Sequence, residues 1–208
     1  MIHIFHGFLG SADDFSFLKS DEVIVHDLYS MKGPPQIHAN DTLIGYSMGG
    51  RIALDLAHEI NYQFKKIVLI NAHPGLSNDE DRFHRTEFET IVLQELNHKN
   101  KKDFLEWWNS LPIFTFDAPI TTSDERYAQS SRLFEDYRLS LQKNHLPEMI
   151  QNRDKVLFIV GLFDERYMEL VNDILIPENL SVKGIPGGHR LFQQKDELMK
   201  FLSDEGVI

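Results

Sequence analysis

Ser47, Asp164 and His189 are side chains of the types that carry out nucleophilic catalysis, and each stands just after an apolar, strand-forming run. Ser47 lies in Gly45-Tyr46-Ser47-Met48-Gly49, which follows Thr42-Leu43-Ile44 and leads into a helix-forming segment. In a G-x-S-x-G turn from strand to helix the glycines avoid collisions across a strained turn, and the serine hydroxyl is lifted clear of the sheet. Asp164 follows Val156-Leu157-Phe158-Ile159-Val160 through Gly161, and His189 follows a strand ending at Ile185 through Pro186-Gly187-Gly188. The order serine, aspartate, histidine suits a base, His189, that takes the Ser47 proton, and an acid, Asp164, that fixes the imidazole tautomer and offsets its charge. Taken singly, Asp164 also fits a turn or a helix N-cap, and His189 is one of ten histidines. Asp154 is the other acid near that strand.

The loop His6-Gly7-Phe8-Leu9-Gly10-Ser11 closes the first apolar run and is expected to approach Ser47 from the side. There the backbone N–H of Phe8 joins that of Met48, at the start of the helix after Ser47, as a two-donor oxyanion hole.

Positioning these groups takes a sheet. Strands are predicted over residues 2–5, 23–26, 42–46, 66–71, 156–160 and 180–185. A helix carrying Ile52, Ala53, Leu54, Leu56 and Ala57 follows Ser47, another is expected near Tyr167 to Leu175, and a closing helix from about Leu191 to Leu202. Alternation of strands and helices implies a largely parallel sheet with ligands at the strand carboxyl ends. The stretch from Leu28 to Asp41, with Gly33-Pro34-Pro35, is too short for a crossover helix with its loops. The sheet face left there is expected to be bare or covered by a second copy. Between Gly75 and Arg153 the charges are dense and apolar residues recur every three or four positions: Phe88, Ile91, Val92 and Leu96, then Phe104, Leu105 and Trp108, then Leu133, Tyr137 and Leu141. This pattern predicts an inserted cap of three or so helices over 75–153, within a core built from 1–74 and 154–208.

Composition bounds the function. The chain has 208 residues, 42% hydrophobic and 25% charged, enough for a real core in one ordinary domain. With no cysteine, a disulfide framework and a thiolate metal site are excluded, which fits a reducing cytoplasm. Met1-Ile2-His3-Ile4-Phe5 is too short and too poor in basic residues for a signal peptide, and no apolar run reaches the roughly 20 residues of a membrane span. The expectation is a soluble cytoplasmic protein without membrane contact, a monomer or weak homo-oligomer. A formal charge of −11 disfavours nucleic acid, while a small anionic organic substrate remains open to local arginines such as Arg82, Arg85, Arg126, Arg132 and Arg138. No metal and no organic cofactor is called for by this chemistry.

The chain resembles the α/β-hydrolases and, more narrowly, the menaquinone-pathway 2-succinyl-6-hydroxy-2,4-cyclohexadiene-1-carboxylate synthases, which eliminate pyruvate. The match is carried by the His6 to Ser11 loop, Gly45 to Ala53, His73-Pro74-Gly75-Leu76, Trp108 ahead of Pro112, Gly161 with Asp164, and Gly188-His189. Of these, Arg51 after the glycine pair and the His-Pro-Gly-Leu run are the more specific. The resemblance implies an α/β-hydrolase fold with a reduced, mostly parallel sheet of about six strands and helices on both faces. It implies a Ser47–His189–Asp164 triad, with Tyr46, Arg51, Arg85, Trp108 and, by a weaker match, Arg132 holding the anionic substrate. The chain departs from the pattern by lacking the hairpin that usually precedes the His-Gly loop and the Pro-Gly-His-Gly continuation after Asp27, so a more open site is expected. A carboxylesterase or thioesterase acting on a small acyl substrate is the alternative enzyme. A non-catalytic ligand-binding protein has no reason to keep all three residues.

Overall fold

The computed structural model describes residues 1–208. Six strands, β1 (Ile2–Phe5), β2 (Val23–His26), β3 (Thr42–Tyr46), β4 (Lys66–Ile70), β5 (Val156–Gly161) and β6 (Ser181–Ile185), form one sheet in the order β2-β1-β3-β4-β5-β6. Every neighbouring pair is parallel. The chain steps from β1 outward to β2 and then back across β1 to β3, so the order reverses between β1 and β3. The loops leaving those two strands therefore diverge, which opens a crevice at their carboxyl ends.

Alternation along the strands serves both faces. Leu43, Ile67, Leu69, Val156, Phe158 and Val160 join the cluster that contains α1 (Met48–Glu59). Ile44, Val68, Ile70, Leu157 and Ile159 face the other way, onto Phe15, Leu18 and the closing helix α7 (Lys195–Asp204). A parallel sheet buried on both sides reads as continuous apolar runs, and these strands do. No helix separates β2 from β3, as the length of that connection requires, and Ile24 on the edge strand is 41% exposed.

Between β4 and β5 the chain forms α2 (Asp79–His98), α3 (Lys101–Asn109), α4 (Asp124–Asp136) and α5 (Leu146–Gln151) and no strand. Asn78, Asn100 and Ser123 cap the first three, each accepting from the third residue on. The fourth, α5, spans only six residues with a proline, Pro147, in its first turn, too short for periodicity to betray it. Val92, Leu96, Phe104, Trp108, Leu133 and Phe134 from these helices belong to the same apolar cluster as α1 and the sheet. Two expected core positions are instead in solvent: Ile91 and Leu141 are 48% and 66% exposed. On α2 the inward place next to Val92 is taken by Glu89, which is fully buried. After β5, α6 (Glu165–Leu170) passes into a wider π turn over Val171–Leu175. The closing helix begins late, because Leu191–Gln193 is a 3-10 turn and the break at Gln194 precedes α7. No helix is long and apolar enough to cross a membrane.

Candidate active site

Ser47 occupies the turn between β3 and α1 with φ 52° and ψ −115°, a conformation that non-glycine residues seldom adopt. The turn is tight enough that a Cβ on Gly45 would strike the Gly50 backbone, and one on Gly49 would strike the Phe5 carbonyl. Strain of this kind costs about 1–3 kcal/mol and persists because neighbours fix it. Here the Ser47 N–H donates to the Ile70 carbonyl at 2.9 Å and the Ser47 carbonyl accepts from Gly50 at 3.1 Å. Although Ser47 is the N-cap residue of α1, its side chain makes no capping bond. Its Oγ lies 3.1 Å from His189 Nε2.

His189 and Asp164 come from the loops after β6 and β5. Asp164 uses both oxygens: Oδ1 accepts from the Tyr167 N–H at 3.3 Å, capping α6, and Oδ2 meets His189 Nδ1 at 2.7 Å. One carboxylate thus both caps α6 and contacts the His189 ring. Asp154 precedes β5 and lies at the opposite end of that strand from His189. The loops are locked to each other by Leu162 N–H to Ile185 O at 3.0 Å and Phe163 N–H to Gly187 O at 2.9 Å. Asn71, just past β4 with φ 41°, ties them to the sheet. Its amide donates to the carbonyls of Gly188 and His189 at 3.2 and 2.7 Å, and its Oδ1 accepts from Gly161 at 3.0 Å. Asn71 is absent from the sequence candidates; the signal it offers is a polar side chain directly after the apolar run Ile67–Ile70.

Neither the Phe8 nor the Met48 N–H is used in a hydrogen bond within the chain. Phe8 is carried by a loop pinned through His6, whose Nε2 accepts from Leu28 N–H at 3.1 Å while Nδ1 donates to Gly7 O at 2.8 Å. Burial lowers the His6 pKa and keeps the ring neutral, as that pairing needs. Trp108 meets the Phe8 ring edge-on at 5.2 Å and supports the loop from above.

Ser47 borders two cavities. The larger, about 560 Å³, includes Phe8, Tyr46, Trp108, Arg126, His189 and Arg190 in its wall. The smaller, about 90 Å³, is bordered by Arg51, His73, Arg85, Arg166 and Tyr167 as well as Ser47 and His189. It shares His73, Arg85, Arg166 and Tyr167 with an open groove of about 540 Å³.

Charge in the smaller cavity is positive. Arg51 is 8% exposed, donates from Nη1 to the Tyr137 carbonyl at 2.6 Å, and has no carboxylate within ion-pair distance. Burial, followed by the charge of Arg85, lowers its pKa to about 10, so it remains cationic at neutral pH. Arg85 is oriented by Glu89, whose Oε1 accepts from Arg85 Nε at 2.7 Å. Burial and then Arg166, Arg85 and Arg51 push His73 down to about 3, leaving it neutral. Tyr46 is buried with its ring 5.5 Å from that of His189, and burial raises its phenol.

Among the expected substrate-binding residues, Tyr46, Arg51, Arg85 and Trp108 reach these cavities and Arg132 does not. Arg132 points into solvent, 90% exposed, beside Asp136. The helical phase explains it: Leu133 and Phe134 take the inward face of α4, and the residue before them faces out. Arg82 is bound by the carbonyls of Leu76, Ser140 and Gln142, and Arg126 by Asp27 and the Gly10 carbonyl. Arg166, two residues past the expected acid, and Arg190, directly after the expected base, line the cavities and are absent from the sequence candidates.

An all-parallel sheet reversing at β1 and β3, with a serine on a strained turn at that switch, is the α/β-hydrolase fold. The S. aureus MenH structure superposes with a TM-score of 0.77 at 20% identity, covering 99% of this chain and 94% of the other. A carboxylesterase of Nitrososphaera gargenis gives 0.68 at 17%, covering 97% and 89%. In sequence the chain is similar to the 2-succinyl-6-hydroxy-2,4-cyclohexadiene-1-carboxylate synthase of Serratia proteamaculans, 25% identical over 174 residues, 79% of this chain and 68% of that protein. It is also similar to the putative synthase of that name from Bacillus subtilis, 24% identical over 170 residues, 75% of this chain and 61% of that one. No family model matches the chain.

Proposed function

We propose that Ser47, His189 and Asp164 act as a catalytic triad on an anionic organic substrate, eliminating pyruvate as in the synthases the chain resembles. The observation that supports this most is the hydrogen-bonded line from Ser47 Oγ through His189 to Asp164, opening on a cavity where buried Arg51 has no carboxylate partner. A buried cation is costly unless it meets an anion, and a substrate carboxylate meets that need.

In this reading His189 Nε2 takes the Ser47 proton, and the resulting alkoxide removes a proton from a substrate carbon. The electron pair left behind forms a carbon–carbon double bond, the carbon–oxygen bond breaks, and pyruvate leaves as its enolate, which takes the proton held by His189 and so restores the neutral imidazole. The N–H groups of Phe8 and Met48 receive the negative charge that builds on a carbonyl oxygen, and Asp164 stabilises the imidazolium.

The carboxylesterase or thioesterase reading, in which Ser47 attacks an acyl carbon, is favoured by the width of the larger cavity. An ester hydrolysis tolerates water that an enolate-like state does not. Incubating the protein separately with the pathway intermediate and with p-nitrophenyl acetate decides between them. Rapid release of pyruvate with slow ester cleavage supports elimination; the reverse preference supports the esterase.

A further inference from the structure

His189 is held by its backbone from two directions. The sheet takes the carbonyl side, through Asn71. The helical region takes the N–H side, through a short segment following the 3-10 turn Pro112–Phe114. There Asp117 Oδ2 accepts from the His189 main-chain N–H and Oδ1 from that of Arg190, both at 3.0 Å. The carboxylate lies so close to the loop that a Cβ on Gly188 would come within 2.6 Å of it.

Further out, the Ala118 N–H donates to Gln193 Oε1 at 3.0 Å, and its carbonyl accepts from Arg190 Nη1 at 2.8 Å and Gln193 Nε2 at 2.9 Å. The Arg190 guanidinium covers the Phe114 ring at 3.8 Å, and that ring meets His189 at 5.7 Å.

The loop preceding His189 contains Gly187 and Gly188, residues whose backbone is free to adopt many conformations. A loop of that composition does not hold an imidazole to a few tenths of an ångström unaided. Gln193 and Ala118 would suffice to fasten the segment to the surface, yet the carboxylate goes to the amides at and just after His189. Keeping that carboxylate half-buried is costly, and burial raises its pKa despite the two N–H donors. Charge-assisted bonds from a carboxylate are stronger than neutral ones and better able to fix a flexible loop.

We propose that Asp117 is a positioning residue: by clamping the backbone amides of His189 and Arg190 it sets the reach of His189 Nε2 to Ser47 Oγ. This rests on the triad reading above.

The test compares Asp117→Asn and Asp117→Ala with Gln193→Ala, which removes the two Gln193 bonds to Ala118 and leaves the carboxylate clamp in place. Turnover of p-nitrophenyl acetate and inactivation by diisopropyl fluorophosphate, with the adduct located by mass spectrometry, are the readouts. Asp117→Asn is expected to lower kcat and the inactivation rate by about tenfold to a hundredfold, the order found for small misplacements of a reacting group, with KM nearly unchanged. Gln193→Ala is expected to lower Tm at least as much while keeping kcat.

The low-field proton resonance of His189 Nδ1 is expected to be sharp in the unaltered protein and to broaden in Asp117→Asn. If Asp117→Ala does not fold, Asp117→Asn carries the comparison. Labelling of Asp117→Asn at the unaltered rate with a sharp resonance, or an equal loss of kcat in Gln193→Ala, overturns the proposal. An unaltered protein that is not labelled at Ser47 overturns the triad reading and the proposal with it.

Discussion

Replacing Ser47 or His189 with alanine is expected to cost several orders of magnitude in turnover, and the double variant little more, because groups that act as a unit do not contribute additively. Losses that multiply in the double variant would contradict the shared role. Arg51 separates the two chemistries. Arg51→Ala should reduce kcat/KM on a polycarboxylate by about 3 kcal/mol, the order for removing one partner of a desolvated charge pair, while a neutral ester is turned over almost as before. Equal losses on both substrates together with a lower Tm would make the Arg51 bond to Tyr137 its purpose. At this scale the sequence was most informative where the chemistry is local. Ser47 announces itself through glycines two residues away, and Asp164 and His189 through the strands that end just before them. Asp117 gives no such sign, and the place of Asn71 at the end of an apolar run does not name its partners, because the partners of both lie tens of residues distant and are brought close only by the loops at the sheet's edge.

Helix α4 shows why element-level reading succeeds and where it stops. Of its buried apolar residues Leu133 and Phe134, spacing gives Leu133 alone; which arginine faces the core is not legible, since that depends on where the helix starts and how it is rotated. Arg126 turned out to be the inward one, forming bonds to both oxygens of Asp27 at 2.9 and 2.6 Å and lying 5.2 Å over the Tyr29 ring. Tyr29 in turn touches Ser130 at 3.2 Å. Arg126→Ala should lower stability by about 1 kcal/mol, modest because both charged groups keep some water. Amide exchange should accelerate across residues 124–136 and stay unchanged in β4 and β5. Uniform acceleration through the sheet would show that the pair supports the whole fold rather than this helix.

Across the whole molecule, four histidines are held neutral by burial. His3 and His6 are lowered, His26 is brought from 6.5 to about 4, and His73 to about 3. A base whose folded pKa lies below its unfolded one binds protons preferentially in the unfolded chain, so stability is complete above pH 6.5 and falls as pH drops toward 4. The urea midpoint should therefore already decline between pH 7.5 and 5, before most carboxylates titrate; a flat profile there would be inconsistent with neutral buried rings. The overall architecture was readable because a parallel sheet writes itself as apolar runs. Charge density and helical spacing predict an inserted helical cap over 75–153, and Phe104, Trp108 and Phe134 of that segment lie in one apolar cluster with Met48 and Ile52. That continuity bears on how such chains can be recombined. A chimera that takes residues 75–153 from a relative would inherit a surface shaped for another protein's sheet, leaving Phe8 and Ile52 against mismatched neighbours. Modular exchange at this junction should yield insoluble chains unless the β1 loop and α1 are exchanged along with it.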